Sequence, residues 1–403
     1  MIADSAQPDG ARHSGRAPST SQSHFSLYAV LLITMAASAL MQFALGVLAP
    51  FITAEFDITR TAFGSATSVL FLSGLVVSLA AARLVERWGE VRLLRALHLA
   101  VIAAFLLVAL APSWEWVFVG VVVMGLPLGV GNPVTNALIV HRVDASVQGT
   151  ATGIKQSGVQ VGALIAGLSA PAVAAATSWR IAAAMLGALA VVGVALSARL
   201  NESPLPPEPT SHTPQRHWQL PPLAWYLTVY AVFMGWGVSA IVAFLPLYAF
   251  EDLGMPAHLA GLLTGVIGLL GALSRVAIGV LANTAQRLGR WLIALAGAAA
   301  ISTPLLLAAA RLPHLVWIAV IGLGAGAIAW QSPAMITLVR LESQVARSSG
   351  LVMAGFFTGM LTGPLAFGRL ADETGTYAAG WLAVTAAFVL ATVLSCIAAH
   401  HQR

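Results

Sequence analysis

The sequence predicts an all-α membrane protein with twelve transmembrane helices in two six-helix bundles, and three observations support this prediction. Hydrophobic residues make up 58% of the 403 residues and charged residues only 9%, whereas soluble domains carry about 25% charged residues. Apolar stretches long enough to cross a bilayer, which takes about 20 residues, recur along the chain. A Pro-rich segment, 201–222, separates these stretches into two groups of six.

The twelve predicted helices are separated by short polar segments and are numbered here in chain order. Their apolar excess comes mainly from Ala, Leu, Val, Ile and Gly, and small residues let membrane helices approach closely. The stretches are 27–53, 62–83, 93–112, 114–140, 148–174, 180–198, 223–249, 257–282, 290–310, 313–338, 347–369 and 377–398.

Arginine placement predicts the orientation of the chain in a bacterial inner membrane. The loops after odd-numbered helices hold only Arg60, Arg180, Arg311 and Arg369, whereas the tails and the other loops hold most of the remaining arginines. Because Arg-rich loops stay in the cytoplasm, both termini are expected there. The net charge of +5 then reflects this loop bias, and a nucleic-acid partner is not expected.

The predicted organisation is a cytoplasmic tail (1–25), a first bundle (26–200), a cytoplasmic linker (201–222) and a second bundle (223–399). Residues 1–25 are polar and lack the apolar core of a cleavable signal peptide. Two parallel six-helix repeats, with a substrate site near the midplane, are a plan that transporters use. Glycines repeat 197 positions apart in the two bundles: Gly64 and Gly261, Gly74 and Gly271, Gly153 and Gly350, Gly158 and Gly355, and Gly162 and Gly359.

The loops after predicted helices 2 and 8 carry a degenerate motif. The first reads Ala82-Arg83-Leu84-Val85-Glu86-Arg87-Trp88-Gly89-Glu90, and the second reads Gly279-Val280-Leu281-Ala282-Asn283, followed by Arg287, Gly289 and Arg290. This pattern resembles the loop signature of the major facilitator superfamily, roughly Gly-x-Leu-Ala-Asp-Arg-x-Gly-Arg. The resemblance covers about 26–398 and implies a secondary carrier that works by alternating access.

The same resemblance implies a cytoplasmic gate in which a carboxylate and nearby arginines hold the two bundles together and release them when they rock. The gate residues would be Glu86, Arg87, Gly89, Asn283 and Arg287. Glu and Asn stand where the signature has Asp, and a generic basic turn is the alternative interpretation.

Proton-coupled drug exporters of this superfamily usually carry an Arg in helix 4, a Gly-Pro pair in helix 5 and often an Asp in helix 1. Here predicted helix 4 has no Arg, Pro171 is misplaced for that pair, and predicted helix 1 has no carboxylate. All fifteen acidic residues fall in predicted loops or tails. Since a buried cation needs a compensating charge, a cationic substrate is disfavoured.

Two cations, by contrast, fall within predicted helices. Lys155 and Arg275 each lie about 10 Å from the cytoplasmic face at 1.5 Å rise per residue, in predicted helices 5 and 8. Ionisable residues at such depth indicate function, and an anionic substrate would offset both charges. Alternatively, Lys155 extends to the interface, and Arg275 pairs with a helix end or with Asp144 or Glu342.

The resemblance implies that helices 1, 4, 7 and 10 line the central cavity. Proline breaks in predicted helices 4 and 10, at Pro133 and Pro333, are tolerated where helices line a cavity. Interhelical hydrogen bonding and, for tyrosine, an interfacial position are the alternatives. The candidate substrate contacts are Asn132, Asn136, Gln331, Trp330, Gln42 and Tyr230.

The sequence therefore predicts a monomeric carrier for a small organic or inorganic anion. The alternatives are a multidrug or metabolite exporter and, more remotely, a transport-dead sensor. No enzyme, cofactor or metal is expected: Cys396 is the only cysteine, and no phosphate-binding Gly-x-x-x-x-Gly-Lys segment occurs.

Overall fold

In the computed structural model, the backbone is described for residues 20–202, 222–284, 288–341 and 345–401. Side chains are described for the same residues except 20–25, 279–280, 282–284, 288, 339–341, 345–347 and 399–401. Most of the predicted tail and linker therefore lies outside the described residues. The part of the chain that is described consists of helices and turns, without a β-strand.

The described residues contain twelve helices long and apolar enough to span a membrane, which confirms the prediction. α4 and α10 are each broken into two segments. The helices are α1 Thr20–Phe56, α2 Arg60–Trp88, α3 Glu90–Ala109, α4 Trp114–Val123 with Gly125–Arg142, α5 Gln148–Ala176, α6 Trp179–Ser197, α7 Pro222–Glu251, α8 Ala257–Thr284, α9 Leu288–Ala309, α10 Leu315–Ala327 with Gln331–Leu341, α11 Val345–Thr374 and α12 Ala378–His401.

Helix ends follow local sequence signals. Thr59 and Ser178 precede α2 and α6, and their side chains accept hydrogen bonds from the backbone N–H groups of Ala62 and Ile181, as expected for N-cap residues. Gly89 separates α2 from α3 with a φ of 76°, a conformation that glycine adopts without steric cost.

Each half, α1–α6 or α7–α12, packs around the same glycine contact, which supports the predicted repeat. Gly158 and Gly162 of α5 lie against the backbone of α1 at Leu32 and Ala36, and Gly355 and Gly359 of α11 lie against the backbone of α7 at Thr228 and Val232. Both the glycines and their partners are four residues apart, so one helical face is used in each half. The fold is two pseudo-symmetric six-helix bundles.

The two halves meet mainly along α2–α11, α5–α8 and α1–α7. We call the end of the molecule with the α1–α2 turn the far end, and the end nearest the chain termini the terminal end. A Cβ added at Gly64 or Gly167, near the far end, would lie within 3 Å of backbone atoms of the other half. A Cβ added at Gly153 or Gly350, near the terminal end, would meet nothing within 4 Å in the described structure. The halves are therefore closed against each other at the far end.

Candidate substrate-binding site

Lys155 of α5 is buried, with 1% of its surface exposed, and its ammonium donates a hydrogen bond to Oδ1 of Asn136 on α4. One turn toward the far end on α4, the Oδ1 of Asn132 accepts a hydrogen bond of 3.2 Å from the Nε2 of Gln156. Asn132 and Asn136 share one face of α4 and are exposed. The polar partner of Lys155 is thus a neutral amide at the surface of this half.

Arg275 of α8 reaches the break in α10, and the last carbonyls of a helical segment have no intrahelical partner. Its Nε donates to the carbonyl of Ile328 at 3.1 Å, and its Nη2 donates to Oε1 of Gln331 at 2.9 Å. The adjacent Ser274 donates its hydroxyl to the carbonyl of Ala325 at 2.7 Å. These contacts satisfy groups that an interrupted membrane helix would otherwise leave unpaired. Arg275 is not seen to pair with Asp144, and Glu342 lies outside the described residues.

The packing of α5 on α8 places the two cations at the same depth. Along this interface, glycines of α8 contact α5 at regular spacing. Gly261 lies against Pro171, and Gly268 lies against Ala163. Because the helices run in opposite directions, the same register places Lys155 level with Arg275. Arg275 lies about 10 Å beyond Gly268 at 1.5 Å rise per residue. The side chains do not meet: each bonds to a helix of its own half.

The aromatic candidates lie inside the second half. Tyr230 and Trp330 are 0% and 1% exposed, and their rings pack edge to face with centroids 5.6 Å apart. The hydroxyl of Tyr230 donates to the carbonyl of Leu292 at 3.2 Å. Gln42 of α1 is also buried, with 9% of its surface exposed, whereas Gln331 is partly exposed. In this conformation the accessible candidates are therefore Asn132, Asn136 and Gln331.

Among the described residues, the motif after α2 forms no hydrogen bond or ion pair that joins the two halves. Glu86 and Arg87 are exposed at the end of α2 and form no hydrogen bond or ion pair within the described structure. Gly89 makes the turn into α3. The side chain of Asn283 and the whole of Arg287 lie outside the described residues, so the gate stays a prediction.

Glu90, which is not among the predicted site residues, is the buried acid of this loop, with 6% of its surface exposed. It accepts hydrogen bonds from Nδ1 of His141 at 2.7 Å and from Nε of Arg142 at 2.6 Å, and so ties α3 to the end of α4. The superfamily pattern has Arg at this position. An acidic residue at a position where the pattern has a basic one was the signal in the sequence that could have indicated this contact.

A second polar cluster lies at the far end, and no local motif indicated it. We call Arg60, Thr61, Glu251, Asp372 and Tyr377 the far-end latch. Arg60 of α2 forms a 2.7 Å ion pair with Glu251 of α7, and its guanidinium lies 4.4 Å from the centroid of the Tyr377 ring. The Tyr377 hydroxyl donates to the same Glu251 oxygen at 2.8 Å.

Asp372 completes this latch by capping a helix of the other half. Its Oδ1 accepts from the backbone N–H of Arg60 at 3.1 Å, and its Oδ2 accepts from the N–H of Thr61 at 2.7 Å and from the Thr61 hydroxyl at 2.6 Å. The first N–H groups of a helix have no intrahelical partner, and the helix dipole favours an anion there. Phe63 packs edge to face on Phe244 of α7, with ring centroids 5.6 Å apart, beneath these charges.

Two parallel six-helix repeats that close against each other at one end are the plan of a membrane transporter that alternates the exposure of a site between the repeats. The sequence model of the Major Facilitator Superfamily matches residues 31–341. The chain belongs to this superfamily and is a secondary transporter, not an enzyme.

Solved structures share the fold at low sequence identity. A D-xylose–proton symporter matches with a TM-score of 0.77 and 13% identity, covering 92% of this chain and 97% of its own. A bacterial homologue of the human lysosomal transporter Spinster, inward-facing and unoccupied, matches with a TM-score of 0.73 and 17% identity, covering 95% of this chain and 96% of its own. No curated protein sequence matches the chain.

Proposed function

We propose that this transporter carries a small organic or inorganic anion across a bacterial inner membrane, with Lys155 and Arg275 providing the positive charge. The observation that carries the proposal is their common depth together with the neutrality of their described partners. Lys155 bonds to an amide, and Arg275 bonds to a carbonyl and an amide. Neutral partners satisfy hydrogen bonds but leave the net charge in place.

An uncompensated charge away from water costs several kcal/mol, and an opposite charge offsets that cost. An anion between the halves would be attracted by both cations. The planar guanidinium of Arg275 suits the two oxygens of a carboxylate, whereas the ammonium of Lys155 acts as a compact point charge. The exposed amides of Asn132 and Asn136, with Gln331 opposite, would then orient the substrate through hydrogen bonds.

The approach to this site is from the terminal end, where the described helices of the two halves separate. The arginine bias of the loops assigns that end to the cytoplasm, so we interpret this conformation as inward-facing. When the halves rock, Glu86 and Arg87 would approach the loop that contains Asn283 and Arg287 and close the cytoplasmic side. Gln42, Tyr230 and Trp330 would contact substrate only after such a rearrangement. Since the path lies within one chain, a monomer suffices for transport.

Thermal unfolding of the purified carrier tests the substrate class. The probes are lactate, succinate, phosphate and nitrate, with tetraphenylphosphonium as the lipophilic cation. A ligand at 100 times its dissociation constant that binds only the folded state adds about 2.7 kcal/mol of stability. We expect one of the anions to raise the melting temperature of the wild-type carrier and to have no effect on Lys155→Met.

Arg199→Gln, at the end of α6, is the matched control, because it removes an exposed cation whose side chain has no described partner and should keep the anion response. Stabilisation by tetraphenylphosphonium alone, unchanged in Lys155→Met, would replace the anion proposal with the exporter. An anion response that survives in Lys155→Met and in Arg275→Gln would remove the site assignment while keeping the substrate class.

A further inference from the structure

We infer that the far-end latch between α2 and the second half is the charged contact that holds the far end shut, and that Asp372 is the residue that sets how readily this end opens. The inference concerns the conformational equilibrium of the carrier and does not depend on which solute is transported.

Asp372 makes the strongest interaction between the two halves in the latch. Both of its oxygens are engaged, and all three donors belong to Arg60 and Thr61 of the opposite half. Hydrogen bonds to an ionised carboxylate are stronger than neutral ones, and the positive end of the α2 dipole adds to the attraction. Separating α2 from α11 would break all of these interactions together and leave the backbone N–H groups of Arg60 and Thr61 without their protein acceptor.

The ion pair of the latch is a weaker interaction because both of its side chains are partly exposed to solvent. The side chains of Arg60 and Glu251 are 27% and 31% exposed, and exposed ion pairs contribute little to stability. Burial raises the pKa of the Tyr377 phenol well above its ordinary value, so this hydroxyl keeps its proton and donates to Glu251. Arg60 and Tyr377 therefore help to align α2 over the second half.

In the described part of the chain, the pseudo-symmetric interface α5–α8 shows no counterpart of this latch. The positions 197 residues away from Arg60 and Asp372 are occupied by Ala257 and Ala175. At this interface glycines and Pro171 bring the two backbones together. One side of the far end is thus fastened by charge, and the other by close packing. Opening must overcome the latch on the α2–α11 side.

Double electron–electron resonance, which measures the distance between two spin labels, tests the inference. The labels are placed at Thr177 and Leu312, which are exposed in far-end turns of the first and second halves, after the exposed Cys396 is replaced by Ser. In lipid nanodiscs, the otherwise unaltered carrier should show mainly the short distance of the closed far end. Asp372→Asn should raise the ratio of long-distance to short-distance molecules by about fivefold to tenfold, since it removes the helix-dipole and charge-assisted contacts.

Glu373→Gln is the matched control. It neutralises the next carboxylate of α11, whose partner is Arg369 of the same helix, and it should leave the distance distribution unchanged. If Asp372→Asn does not fold, the double variant Thr61→Val with Tyr377→Phe removes two hydroxyls of the latch and should shift the distribution in the same direction by a smaller factor. A folded Asp372→Asn or double variant with the same distribution as the parent would overturn the inference, as would an equal shift in Glu373→Gln.

Discussion

The α2–α11 and α5–α8 interfaces join the same two halves, at equivalent positions of an internal repeat, in different ways. At α2–α11, Asp372 caps α2 from the other half, and beside it Arg60 of α2 pairs with Glu251 of α7 above packed aromatic rings. At α5–α8, small residues bring the two backbones into direct contact, and the cations Lys155 and Arg275 lie beyond this contact, toward the terminal end. The comparison shows that two repeats can share their helix packing and still differ in the polar contacts that hold equivalent interfaces closed.

The largest expected effect comes from widening the α5–α8 interface. A Cβ at Gly167 would lie within 3 Å of backbone atoms at Gly265 and Gly261. Backbone atoms cannot move aside unless the whole helix is displaced. Gly167→Leu should destabilise the closed carrier by about 3 kcal/mol through overpacking, measured as a lower melting temperature in detergent.

Gly153→Ala provides the control on the same helix. An added Cβ at Gly153 meets nothing within 4 Å, so replacing this helical glycine should raise stability by about 0.5–1 kcal/mol. If both variants melt at the wild-type temperature, close packing does not hold the α5–α8 interface.

A smaller effect, stabilising rather than destabilising, is expected from Lys155, which lies on the part of α5 that extends beyond its contact with α8 toward the terminal end. Lys155 is buried with a neutral partner, so Lys155→Met should stabilise the unliganded carrier by about 1–2 kcal/mol while abolishing uptake of the anion into vesicles. The measurement pairs melting temperature with transport. Lys155→Arg, which keeps the charge, should show no such stabilisation, and a destabilised Lys155→Met would contradict the view that this charge serves function at the expense of stability.

The latch offers a finer test of the comparison. A double-mutant cycle with Arg60→Met and Tyr377→Leu should give a coupling of about 0.5–1 kcal/mol, the size of a partly exposed cation–π contact. Chemical unfolding of the four proteins measures this coupling. A coupling of zero would mean that the geometry of these two side chains does not help to hold α2 in place.

The smallest effect is expected at the terminal end. Glu86→Gln should change stability by less than about 0.5 kcal/mol, because the side chain is exposed without a described partner. Glu90→Gln, four residues away, should cost about 1–3 kcal/mol because His141 and Arg142 lose a buried charged acceptor. Equal effects of the two substitutions on the melting temperature would contradict this distinction.

Some features of the fold could be predicted because they depend on local composition or on spacing. Apolar stretches of sufficient length predicted all twelve helices, and the spacing of Gly158 from Gly355 predicted a repeat that the structure shows as the same helix contact. Lys155 and Arg275 were predicted at equal depth from their distance to helix ends, and the α5–α8 register agrees. A common cavity for the two side chains stays a prediction.

The partners of these charges were not predictable, because they are contributed by distant parts of the chain. Asp372 is separated from Thr61 by 311 positions, and in sequence both are unremarkable residues at predicted loop boundaries. Likewise, the sequence placed Trp330 and Tyr230 among the cavity candidates, while packing buries both rings in the second half.

By itself, the sequence determined the membrane class, the number of helices, the repeat and the two intramembrane cations, because hydropathy and spacing act along the chain and survive without knowledge of contacts. Only the tertiary structure decided which end of the carrier is closed, that Asp372 caps α2 from the opposite half, and that Lys155 and Arg275 rest on neutral groups. These properties depend on which side chains meet across helices, and that is settled by the packing of the two halves.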